Sequence, residues 1–228
     1  MSTFPRLRYT VSAVAVAAAV ACSDSTGVDD TGDVRVTLAQ SDAIITQVVS
    51  SALLASDAAL GALNPDTIQS LTVTVPEIEF LQGAVGDNTA DSSWVSLTLS
   101  TPANIDLMTL PVEGASPVVI TSGSVAVGDY RNVRLFVSEA SIVFTGPITL
   151  GEGAASYDGG TTYTVTVPSG METGIKTDAT FTVTADDSGT PVDVDLLFEP
   201  TSTFQNVTAN GTGGVMLTPV IMAQPQGQ

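Results

Sequence analysis

Few side chains in this chain of 228 residues are equipped for chemistry, and they fall into small groups. Tyr130, Arg131 and Arg134 lie close together and combine one aromatic ring with two guanidinium groups. With Trp94 they suit a shallow site for a sugar or a peptide carboxylate, because rings stack on flat apolar faces and guanidinium groups grip carboxylates through paired donors. Tyr130 and Arg134 are four apart, which puts both on one side of a regular strand. A plainer role fits the same residues: a tyrosine packed at a strand corner and an arginine paired with a nearby carboxylate. Asp193 and Asp195 share a strand face, as do Glu77 and Glu79. Paired carboxylates can hold calcium with loop carbonyls, or cut glycosides when two face each other across a cleft. The calcium candidates are Asp193, Asp195, Asp186 and Asp187. The stretch Asp186 to Gly189 reads as a turn, without the distant bidentate Glu of an EF-hand loop. The ordinary reading of each carboxylate pair is a solvated sheet face.

The missing residue types exclude more than the present ones suggest. The chain has no histidine and one cysteine. Without histidine there is no serine–histidine or cysteine–histidine catalysis and no zinc or iron site of ordinary type. Lys176, the only lysine, supplies with Ser169 the parts of a Ser–Lys dyad, but no oxyanion element accompanies them. Its expected role is to neutralise an acidic cluster and anchor the Pro168-Ser-Gly170 turn. Trp94, Tyr157 and Tyr163 are candidates for a sugar-stacking platform or for the core. The sequence therefore reads as a non-enzyme, with no cofactor beyond a possible structural calcium. Six basic residues stand against 24 acidic ones, a net charge of −18. That surface repels nucleic acid, which needs a basic footprint.

The first 22 residues carry an address. Arg6 and Arg8 precede the apolar run Val11–Ala21, which is too short for a spanning helix of roughly 20 residues, and the run ends at Ala19-Val20-Ala21-Cys22. This is the pattern of an export signal closing on a bacterial lipobox. Residues 1–21 are expected to leave as a lipoprotein signal peptide, and Cys22 to carry the lipid that tethers the chain to a membrane. Ser23 after the cysteine fits outer-membrane sorting if the cell is Gram-negative. Residues 22–32 are small, polar and acidic, a flexible tether with too little apolar matter to pack.

Residues 33–223 are expected to form one domain, with a disordered tail at 224–228. Alternation of apolar and polar residues marks strands at 33–38, 71–75, 77–80, 94–99, 104–110, 118–121, 132–137, 140–144, 162–167, 180–184, 192–198, 203–207 and 214–222. Pro76 marks an edge or a bulge, and residues 151–160 read as a glycine-rich loop. Residues 42–63 instead place Ile44, Ile45, Val48, Val49, Ala52 and Leu53 near helical spacing, closed by Gly61 and Pro65. The fold class is mainly β: a β-sandwich of short antiparallel strands with one covering α-helix near the N-terminus.

Several landmarks occur in order: 32–38, 105–110, Val127-Gly-Asp-Tyr130-Arg-Asn-Val-Arg134-Leu-Phe-Val137, Val167-Pro-Ser-Gly170 followed by Lys176, 192–195, and Leu217-Thr-Pro-Val-Ile221. The set resembles the prokaryotic lipoprotein family called domain of unknown function 4382. Its members carry a Gly-Xaa-Tyr-Xaa-Xaa-Xaa-Arg-Leu core, a Pro-Ser-Gly followed by Lys, and a closing Pro-Val-Ile. Where family members tend to read Asp-Ala-Pro after the first strand, this chain runs from Asp42-Ala43 into Ile44. The resemblance implies an extracytoplasmic β-sandwich and supplies no activity. Together these readings give a membrane-anchored envelope lipoprotein. Its expected task is non-catalytic binding or adhesion, with a glycan or protein partner. The alternatives are a purely structural envelope lipoprotein and a carboxylate-based glycoside hydrolase.

Overall fold

Long runs of valine, threonine and isoleucine alternating with polar residues favour extended backbone, and the computed structural model is built almost entirely of strands. It describes residues 30–42, 62–83, 93–150, 155–168, 170–185, 189–205 and 207–224. The leader, Cys22, most of the tether, residues 43–61 of the expected helix, Ser169, Asp186, Asp187 and the last four residues lie outside the described residues.

The smaller sheet has four strands. Its central strand, β1 (Thr31–Gln40), starts two residues inside the expected tether. β1 is flanked by β4 (Val118–Ala126), antiparallel, and by β11 (Val192–Phe198), parallel. A short β14 (Ile221–Ala223) closes the far side. β1 buries Val34, Val36 and Leu38 on its inner face.

The larger sheet curls into a half-barrel around β2 (Ile68–Gln82). One edge of β2 pairs with β3 (Trp94–Asp106). The other edge is shared, its C-terminal half with β5 (Gly128–Leu135) and its N-terminal half with β6 (Glu139–Phe144). Pro76 therefore lies in a central strand and survives there because the β2–β3 register shifts between Val75 and Glu77, a bulge that needs no donor from it. β10 (Ile175–Val183) extends the sheet beyond β5, and β9 (Thr162–Thr166), β13 (Val215–Met216) and β12 (Thr208–Ala209) extend it beyond β6. A separate hairpin joins β7 (Ile148–Leu150) to β8 (Ala155–Tyr157), so part of the expected 151–160 loop is strand.

The two sheets pack as a sandwich over one apolar core. Its bulkiest fully buried members include Tyr130, Tyr157, Phe80, Phe144, Phe198 and Phe204. Two expected strands are revised: 214–222 is strand only in β13 and β14, with 217–220 between them outside any strand, and 203–207 begins in a helical turn, α1 (Pro200–Thr203). Pro200 at its first position presets a helical φ, and the Thr203 and Phe204 amides donate to the Glu199 and Pro200 carbonyls. Among the described residues no helix is long and apolar enough to cross a membrane.

Candidate functional site

Ile78 and Phe80 of β2 point into the core, so Glu77, Glu79 and Leu81 face outward. Pairing across the sheet aligns one outward row over four strands. Ser96 on β3 opposes Glu79, Glu79 opposes Arg134 on β5, and Arg134 opposes Lys176 on β10. Trp94 stands one row away, opposite Leu81, and its indole reaches diagonally to the arginine. The Arg134 guanidinium carbon lies 4.0 Å from the Trp94 ring centroid and 5.1 Å from that of Phe136. The Lys176 ammonium lies 5.9 Å from the same indole. Cations over aromatic faces are held by the ring quadrupole. Glu79 accepts from Arg134 Nε and Nη2 through a single oxygen, Oε2. This ion pair is largely shielded, at 18% and 14% side-chain exposure. Glu77 accepts a hydrogen bond from Ser96.

Tyr130 does not join this face. On both sides of β5 the pairing register shifts at Arg131. The irregularity moves the strand's parity by one, so Tyr130, Val133 and Leu135 point inward while Arg134 points outward. The four-residue spacing therefore separates Tyr130 from Arg134. Tyr130 is fully buried, stacked on Phe181 at 5.1 Å and edge-on to Phe80 at 6.0 Å. Its hydroxyl donates to the Ala126 carbonyl at 2.7 Å, four residues back, at the corner where β4 hands over to β5. Burial pushes its pKa up. Arg131 is half-buried at the irregular step.

The carboxylate pairs have protein partners. Asp193 takes Arg35 through both oxygens at 2.6 Å, its cross-strand neighbour on β1. This hydrogen bond, and then the charge of Asp193, raise the Arg35 pKa. Asp195 accepts from Thr37 at 2.6 Å. Both aspartates thus share a face, but a guanidinium already neutralises one of them. Among the described residues no three His, Cys, Asp or Glu side chains gather to hold a metal. Tyr157 and Tyr163 pack against each other at 4.9 Å, and the buried Tyr157 hydroxyl donates to the Gly214 carbonyl. They belong to the β8–β9 side of the core and form no platform with Trp94.

Two adjoining grooves of about 350 and 460 Å³ run where β6 and β9 part. Pairing of the two strands covers only Ser141–Val143, and beyond it Ser138, Glu139, Ala140 and Val165 line both grooves. Glu139 and Glu172 share the smaller one. The walls hold hydroxyls and short aliphatic side chains but no aromatic ring.

Sequence reasoning found Trp94 and Arg134 but gave Lys176 a different task. The Gly170 amide does turn back to the Val167 carbonyl, yet the Lys176 side chain faces Arg134 and Trp94. The sequence marks Glu79 as half of a carboxylate pair with Glu77 and does not name it as the partner of Arg134, and Phe136 was missed. Their only signal was alternation, which places a residue on a face without naming its neighbours across the sheet.

The class defined by this architecture is a β-sandwich with one half-barrel sheet and an aromatic–cation cluster on its outer face. The chain belongs to the family described as domain of unknown function (DUF4382), which it matches over residues 31–219. No curated protein and no solved structure matches it.

Proposed function

We propose that this protein is an extracytoplasmic lipoprotein, held to the cell envelope through Cys22, whose sandwich serves as a non-catalytic binding or adhesion module for a glycan or protein partner. The outer membrane is the expected site in a Gram-negative cell. The observation that supports the reading is the Trp94–Arg134–Lys176 cluster. It sets an indole and two cations on the outer face of a strongly acidic molecule. Acidic side chains elsewhere keep such a domain soluble.

Two measurements on the full chain test it. Mass spectrometry of the protein from its native membrane should show cleavage before Cys22 and an acylated sulfur. A bare thiol or an uncut leader refutes the anchor. A glycan array together with an envelope pull-down should yield a partner whose binding weakens in Trp94→Ala. A second reading, a purely structural lipoprotein, draws on the way Arg134 is already satisfied by Glu79 and two rings. Silence in both the array and the pull-down would favour it.

A further inference from the structure

Arg134 and Lys176 are directly opposed on neighbouring strands, a placement that brings like charges close and destabilises a sheet. In a chain with six basic residues against 24 acidic ones, this is an expensive use of two cations. Glu79 offsets one of them. Lys176 is exposed and has no carboxylate partner among the described residues. Its ammonium stands 5.9 Å from the centroid of the neutral indole it shares with Arg134. The row therefore carries a local surplus of positive charge on an otherwise acidic molecule. Local rules broken in this way tend to mark function.

The geometry points to a carboxylate subsite built by Lys176, Arg134 and Trp94, which takes a glycan bearing a single uronate; this deepens the proposed binding function and rests on it. Glu79 engages only Nε and Nη2 of Arg134, through one oxygen. A guanidinium has five N–H donors, which leaves Nη1 for a second acceptor. A carboxylate has two oxygens and can bridge Nη1 and the Lys176 ammonium, relieving the repulsion between them. Arg134 covers one face of the indole, and the opposite face is the one to take a sugar ring. Ser96, Thr98 and Asn132 stand in the same and adjoining outward rows. Ser96 already donates to Glu77 and Asn132 to Asp178, so what they offer ring hydroxyls is their oxygens as acceptors. A polyuronate fits less well than an isolated uronate. Charges beyond about 10 Å are screened at 0.1 M salt, but repeated carboxylates along a chain would meet the acidic surface flanking the cluster.

Trp94 is the only tryptophan, so its emission reports on this site alone. The test titrates the full chain with a disaccharide carrying one glucuronate, and with the same disaccharide after reduction of its carboxyl to an alcohol. The acid should change Trp94 emission saturably, and the reduced sugar should bind at least tenfold more weakly. Lys176→Met should weaken the acid about tenfold with its melting temperature retained, and Lys176→Arg should keep most of the affinity. Equal binding of the two sugars overturns the carboxylate subsite and keeps the glycan module. Displacement of the acid by a short peptide through its C-terminal carboxylate, at equal or lower concentration, overturns the choice of a sugar. No emission change with either sugar, while the array or pull-down finds a partner, overturns this inference alone. Silence in all three overturns the binding function with it.

Discussion

Replacing Tyr130 separates a core role from a ligand role. The ring is fully buried between Phe80 and Phe181, and its hydroxyl holds the Ala126 carbonyl. Tyr130→Phe removes one hydrogen bond and keeps the ring, so the cost is the net worth of that bond, about 1 kcal/mol. Tyr130→Ala also removes the ring. Loss of a buried aromatic costs about 3–5 kcal/mol, and the two ring contacts push the value toward the upper end. The two variants should therefore differ by about 3 kcal/mol. Urea unfolding followed by Trp94 emission and by circular dichroism measures both, and an unchanged slope shows that the transition remains the same one. Partner binding by Tyr130→Phe should equal that of the wild type. A cost below about 1 kcal/mol for Tyr130→Ala would refute the packing argument. Loss of binding in a stable Tyr130→Phe would return the hydroxyl to the recognition surface.

Burial raises the pKa values of both Tyr130 and Tyr157 above the usual 10.0. The folded state then holds these protons more tightly than the unfolded chain, so their contribution is complete below pH 10 and is lost as the pH climbs through the raised values. Alkaline titration at 295 nm should show two tyrosines ionising late, with unfolding, and Tyr157→Phe should reduce the loss of stability above pH 10. A double-mutant cycle on Glu79→Gln and Arg134→Met should give a coupling of about 1–3 kcal/mol, since the shielded pair lies between exposed and fully buried ones; additivity of the two changes would contradict the geometry. At Gly32 a Cβ would press on the Thr184 carbonyl and sit 2.6 Å from Val183 Cγ1, so Gly32→Ala should cost about 1–3 kcal/mol in thermal unfolding. Because Arg35 and Thr37 already engage Asp193 and Asp195, chelation should leave the melting temperature unchanged. A reversible drop would reveal a calcium site that these two residues do not explain.

Strand positions were legible where one face is buried and the other wet, as in 33–38 or 192–198, because burial itself writes the alternation. The joins were harder. Residues 71–75 and 77–80 read as two strands, and so did 94–99 and 104–110. The first pair is one long strand, β2, and the second falls on β3, which stops at Asp106 and leaves 107–110 as turn. The interruptions at Pro76 and around Pro102 meet in one bulge of the β2–β3 pairing. The helical turn at Pro200 escaped notice because Thr203-Phe-Gln-Asn-Val207 has strand composition. Its backbone is set instead by the proline before it and by the amides that donate to the Glu199 and Pro200 carbonyls. At the candidate site, sequence supplied the residue types. It could not supply the slip at Arg131 that turns Tyr130 inward, nor the register that sets Lys176, 42 residues after Arg134, directly opposite it. Such facts belong to pairing between distant segments, and periodicity within one segment carries no record of them.

The parallel ladder between β1 and β11 joins residues 158 positions apart, from Val34 with Val192 to Gln40 with Phe198. Among the described residues the first strand to emerge during synthesis thus waits for one near the end. Closing so wide a loop is entropically costly before it is rewarded, and topologies of this kind assemble in milliseconds to seconds rather than microseconds. Until β11 arrives, β1 offers a bare hydrogen-bonding edge beside its most apolar residues. Truncation ahead of Val192 would make that transient state permanent, and such a fragment would clump through the exposed edge rather than survive as a smaller domain.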